Sequence, residues 1–177
     1  MVPKKNPNDL LKLENDFYVK PRINGKRKGA SYERQLAKKL NLRFNTKDFS
    51  RTPGSGAFAT THTLPKHLQI HGDLITPENF KFVIEAKRGY DITLEDLWKP
   101  KSNFFKFIEQ ARRDGRAAQK PWLLVYKKDR QKEIVICEHQ FDMSERALIN
   151  SKYYIYLLDD LLKLTDSQFL LQEPLSP

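Results

Sequence analysis

Residues 71–87 constrain the fold most. Phe80, Phe82, Ile84 and Ala86 occupy alternate positions, and Lys81, Val83, Glu85 and Lys87 fill the positions between them. This period of two, with its Phe, Val and Ile content, predicts a strand over 80–87 with one apolar face. Glu85 and Lys87 share the other face. Thr76-Pro77-Glu78-Asn79 supplies a turn before the strand, and a shorter strand before that turn carries Asp73 and Ile75 on one face. If the two strands pair as a hairpin, Asp73 stands beside Glu85 and both carboxylates aim at one point. Like charges so placed repel, and a divalent cation between them removes the cost. Oxygen-only ligation of this kind suits Mg²⁺ or Mn²⁺. The plainer alternative is a solvated strand edge with a weak Glu-x-Lys salt bridge and an aspartate serving the turn.

A chain of 177 residues fits one domain with a sizeable core. No apolar run approaches the length of a membrane span, and the N-terminus lacks the apolar segment of a secretion signal. The single Cys137 excludes an internal disulfide and a cysteine-based zinc site. It lies in the apolar run Glu133-Ile134-Val135-Ile136-Cys137 and reads as a buried, inert thiol. A cytoplasmic protein is expected. Thirty-two Lys and Arg against 22 Asp and Glu give a net charge of +10, which suits a polyanionic partner. Without a basic amphipathic helix a membrane surface is the poorer match, so nucleic acid is the expected partner.

Residues 1–28 read as a basic, flexible N-terminal arm, rich in Pro, Asn and Lys and ending in Lys26, Arg27 and Lys28. A helix is expected over 30–40. Its core stripe of Leu36, Ala37 and Leu40 extends backward onto Glu33, which places an acid on the core-facing side near the positive helix end. Buried acids are rare unless paired or metal-bound. Glu33 is therefore a third carboxylate facing Asp73 and Glu85, or else a rim residue pairing with Arg34 or Lys38 or serving a cap. A strand over 47–51 leads into Ser50-Arg51-Thr52-Pro53-Gly54-Ser55-Gly56, a loop whose amides and hydroxyls can approach a phosphate. No Gly-Lys-Ser/Thr follows, so it is not an ATP-binding loop. His71 falls on the face of Asp73. Thr93 caps a short helix over 94–98. A longer helix over 102–114, with Phe104, Phe107, Ile108 and Ala111 as its stripe, is expected to end at Asp114-Gly115. Strands are expected over 122–126, 133–137 and 153–157, and short helices over 159–164 and 167–172.

The order of helix with Glu, strand, Gly-rich loop, Asp, Glu-x-Lys, helix and strand resembles the PD-(D/E)xK nuclease superfamily. More narrowly, Lys28-Gly29-Ala30-Ser31-Tyr32-Glu33-Arg34 together with the Ser50–Gly56 loop resembles the archaeal-type Holliday junction resolvases, which phages also carry. The likeness covers roughly 26–126. It implies an α/β fold with a central mixed sheet flanked by helices, a restriction-endonuclease-like core over 29–140. The basic arm would precede that core, and a C-terminal extension over 141–177 would complete it or pack on it. It implies Glu33, Asp73, Glu85 and the Ala86 carbonyl as metal ligands. Lys87 would orient or deprotonate the attacking water, and Ser55 would sit near the scissile phosphate. Lys26, Arg27, Lys28, Arg51, Ser55 and Gln110 would contact DNA. It also implies a homodimer acting on four-way DNA junctions, in the host cytoplasm if phage-encoded. Gly72 departs from the superfamily's Pro. Two other readings stay open: a nuclease of the same superfamily acting on nicks, ends or restriction-like sites, and a non-catalytic basic DNA-binding module.

Overall fold

The computed structural model describes residues 25–53, 71–144, 146–149 and 152–171. The Gly54–Gly56 part of the loop, with Ser55, lies outside them, as do residues 1–24 of the basic arm.

The first helix, α1 (Gly25–Phe44), buries Tyr32, Glu33, Leu36, Ala37 and Leu40. This is the stripe the apolar spacing picks out, acid included. The helix starts before the expected Ala30 and takes in Lys26, Arg27 and Lys28, so these cations stand on its first turn, where the end of a flexible arm was expected. Two short strands, β1 (Ser50–Arg51) and β2 (Leu74–Ile75), pair antiparallel with Arg51 opposite Leu74. β3 (Val83–Arg88) follows. A 3-10 helix over Leu94–Trp98 starts at Thr93, whose side chain forms a reciprocal cap with Asp96. Then come α2 (Asn103–Ala118), β4 (Trp122–Lys127), β5 (Ile134–Cys137), β6 (Ala147–Ile149), β7 (Tyr153–Leu157) and the one-turn α3 (Leu158–Leu161).

The main sheet runs β3-β4-β5-β7-β6. β3 and β4 are parallel, joined by a crossover through α2, and the remaining pairs are antiparallel. This is the mixed α/β architecture expected from the sequence. Alternation along the strands feeds two cores. Phe82, Ile84, Ala86, Leu123, Val125, Val135 and Cys137 pack on the α1 side. Trp122, Leu124, Tyr126 and Ile136 pack under Phe104, Phe107, Ile108 and Ala111 of α2. Phe169, from a 3-10 turn over Asp166–Gln168, closes the first core against Phe44, Phe80 and Phe141.

Two boundaries differ from expectation. The strand expected from Phe80 begins at Val83, while Phe80 makes a single bridge to Leu170. α2 does not end at Asp114-Gly115 but runs to Ala118, and Gln119 takes the left-handed cap (φ 55°). Gly115 is buried, and a Cβ there would lie 2.9 Å from the Lys120 carbonyl oxygen. It is a glycine of close approach, not a terminator.

Candidate active site

The site begins with the backbone at Gly72. Its φ of +78° lies in the region glycine occupies freely, and a Cβ would fall 2.6 Å from the Ile84 carbonyl oxygen. Proline, locked near −65°, cannot take this conformation, which accounts for the departure from the superfamily's motif. The close approach lets the Asp73 N–H donate to the Ile84 carbonyl at 2.9 Å. The Ala86 N–H donates in turn to Asp73 Oδ2, also at 2.9 Å. Asp73 is thus attached to the free edge of β3 by one backbone and one side-chain hydrogen bond, where a hairpin ladder was expected. On its other side the Asp73 carbonyl accepts the Thr52 N–H (3.0 Å), and Thr52 Oγ1 donates to the Gly72 carbonyl (3.1 Å).

β3 brings Glu85 and Lys87 to the same place. In the parallel register Glu85 lies opposite Leu124 and Lys87 opposite Tyr126, both on the face covered by α2. The Lys87 ammonium pairs with Glu85 Oε1, lies 3.7 Å from Asp73 Oδ2 and stands 5.6 Å from the Phe107 ring centre. Asp73, Glu85 and Lys87 therefore form one cluster, with Glu85 and Lys87 on one face as the alternation indicates. Glu85 is 1% exposed, and burial followed by the Asp73 charge pushes its carboxyl well above the usual carboxylate range, against the pull of Lys87. Burial depresses the Lys87 ammonium, but Glu85 and Asp73 outweigh it and hold its pKa above the ordinary lysine value. With all three ionised the cluster carries one net negative charge. Lys87 keeps its proton, and Glu85 is the carboxyl that resists ionisation.

Glu33 is buried on the core side of α1, but its carboxylate engages Arg51, with Nε 2.5 Å from Oε2. The expected meeting of Glu33 with Asp73 and Glu85 is not present: among the described residues no three His, Cys, Asp or Glu side chains gather closely enough to hold one metal ion. Arg51, which holds Glu33, lies opposite Leu74, the residue after Asp73. Lys28 pairs with Asp129, which also holds Arg88 at 3.4 Å. Lys26 and Arg27 are exposed in the first turn of α1. Gln110 is half-buried on α2, between Phe107 and Asp114 along one helix face.

Asp114 was not singled out by the sequence. Burial raises its carboxyl; Arg113 and His71 act against that rise, and Asp73 adds to it. Asp114 is thus a third acid that feels the charge of Asp73. Asp114 was hidden because an Asp-Gly pair reads as a helix end.

The residues suit a hard cation. Asp73 and Glu85 offer carboxylate oxygens, and the Glu85 Oε2 atom is buried with no hydrogen-bond partner. A buried carboxylate oxygen without a donor is costly, and a cation is the partner such an oxygen lacks.

Residues 24–161 match the model of the family described as "Phage putative PDDEXK endonuclease". That span covers α1, α2 and α3, the Asp73 segment and the Glu85-Ala86-Lys87 strand. The chain belongs to this PDDEXK endonuclease family. Among solved structures, Hjc of Archaeoglobus fulgidus, a Holliday junction resolvase, is 16% identical. The similarity covers 71% of this chain and 86% of Hjc, with a TM-score of 0.33. No curated protein matches. Among the described residues of this PDDEXK endonuclease, no helix is long and apolar enough to cross a membrane.

Proposed function

We propose that the protein is a metal-dependent DNA endonuclease that cuts branched DNA, most specifically a Holliday junction resolvase acting as a homodimer in the host cytoplasm. The reading rests above all on the Asp73–Glu85–Lys87 cluster with its unpartnered, buried Glu85 oxygen. Family membership supports the reaction class. The junction and the dimer are supported by the resemblance of the Lys28–Arg34 and Ser50–Gly56 segments to archaeal-type resolvases.

Asp73, Glu85 and the Ala86 carbonyl would hold Mg²⁺, or Mn²⁺, which supplies a water of lowered pKa and positive charge at the phosphate. Asp73 is pre-set for this by the Ala86 N–H, which fixes one of its oxygens and leaves the carboxylate little freedom to rotate. Lys87 presents an ammonium beside both carboxylates. It steers the attacking oxygen and offsets charge developing on the phosphate. The phenyl ring of Phe107 shields this ammonium from water on one side, which strengthens its field at the reacting atoms. Glu33 acts through Arg51, holding the guanidinium toward the DNA backbone, and completes the metal shell only if that pair opens. Lys26, Arg27, Lys28, Ser55 and Gln110 contribute DNA contacts.

The test is cleavage of a four-way junction and of a linear duplex of equal sequence, with Mg²⁺ or with EDTA. Asp73→Asn and Glu85→Gln should abolish Mg²⁺-dependent cleavage while retaining DNA binding. Lys87→Ala should lower the rate by about 10²- to 10³-fold. Equal cleavage of both DNAs would remove the junction assignment. Turnover in EDTA, or unimpaired turnover by Glu85→Gln, would remove the metal mechanism.

A further inference from the structure

The chain leaves β3 through Gly89, whose φ of +84° turns it sharply. The next residue, Tyr90, folds back so that its ring meets Phe107 edge-on, with centres 4.7 Å apart. Phe107 is the ring over which the Lys87 ammonium stands. Phe107 is 9% exposed, whereas Tyr90 is 44% exposed, so one face of the pair is dry and the other open. The position of Tyr90 is fixed from below. The hydroxyl of buried Tyr126 donates to the Tyr90 carbonyl and accepts the Ile92 N–H at 3.4 Å, while the Gly89 N–H donates to Lys127 at 3.1 Å. These bonds hold the backbone on both sides of Tyr90, and its ring is left half open over Phe107. Lys87 stands over Phe107, the ring that Tyr90 packs on, and Lys28 and Arg88 meet at the preceding Gly89 turn, where they share Asp129.

A half-open aromatic ring on a held backbone, with basic side chains nearby, is an arrangement by which proteins stack a nucleobase beside bound phosphates. We propose that Tyr90, seated on Phe107 beside Lys87, is a stacking platform for a nucleobase that has left the helix next to the phosphodiester being cut. The inference rests on the nuclease reading and narrows its substrate to DNA in which a base can leave the helix, as one bordering a branch point, nick or gap can. A continuous duplex keeps its bases stacked and cannot fill the platform without a penalty.

The experiment measures binding in EDTA, so that chemistry does not enter. A gapped duplex with 2-aminopurine at the unpaired position is titrated with wild type, Tyr90→Phe and Tyr90→Ala, beside a continuous duplex. Wild type and Tyr90→Phe should quench the fluorophore and prefer the gapped DNA. Tyr90→Ala should lose the quenching and bind gapped DNA about tenfold more weakly. Tyr90→Phe should melt with wild type and Tyr90→Ala, which uncovers Phe107, somewhat lower, so a melting curve accompanies each titration and all titrations are made well below the lower midpoint. Quenching that survives in Tyr90→Ala, or is absent in wild type, overturns the platform, as does a Tyr90→Ala effect confined to self-association in sedimentation. Quenching by a wild-type protein that never cleaves with Mg²⁺ would sink the nuclease reading and leave the platform standing.

Discussion

At the scale of single residues, Glu85 is where stability and function conflict. It is buried among β3, β4 and α2, and its carboxyl is held above its ordinary value of 4.5 by burial and by Asp73. A carboxyl with a raised folded pKa binds more protons in the folded than in the unfolded chain. Stability tied to Glu85 is therefore present at low pH and lost as pH rises from the unfolded value through the folded one. Glu85→Gln removes this linkage. In EDTA the variant should gain stability over wild type progressively as pH rises through that window, measured as the difference in urea unfolding free energy. A constant difference across the window would show that Glu85 ionises normally in the folded protein. Saturating Mg²⁺ should narrow the gap, since only the wild type offers the second carboxylate that gains from the cation.

At the scale of elements, β3 and α2 carry the site between them. β3 presents Glu85 and Lys87 on its α2 face and its free edge to Asp73. α2 covers that face with Phe107. The position of α2 depends on Gly115, where a Cβ would meet the Lys120 carbonyl at 2.9 Å and Trp122 Cβ at 3.2 Å. In an exposed helix, Gly→Ala stabilises by about 1 kcal/mol. Here the sign should reverse: Gly115→Ala should destabilise by about 1–3 kcal/mol, seen as a lower denaturant midpoint, and should slow cleavage by shifting α2 from β3. A stabilised variant would mean the helix end moves freely.

At the scale of the molecule, a net charge of +10 over 177 residues suits a polyanion, but the described cations are not all equally available. Lys28, Arg43, Arg51 and Arg112 each pair with an acid. DNA affinity should fall linearly on a logarithmic plot as salt rises, in proportion to the phosphates neutralised. Arg51→Ala should reduce that slope by about one, read from binding titrations between about 50 and 200 mM salt. An unchanged slope would place Arg51 with Glu33 as a structural pair alone.

The sequence by itself determined what local period can carry. Alternation from Phe80 to Lys87 assigned Glu85 and Lys87 to one face, and the stripe of Leu36, Ala37 and Leu40 assigned Glu33 to the inner side of α1. Both follow from backbone geometry, which repeats every two or 3.6 residues whatever the chain does next. Tertiary structure decided what those faces meet. Only the assembled sheet put Asp73 on the edge of β3 through Gly72, turned the Glu33 carboxylate to Arg51 and made Gly115 a point of contact. These contacts join segments separated in sequence, and the distances that set them arise only when both cores have closed around the sheet.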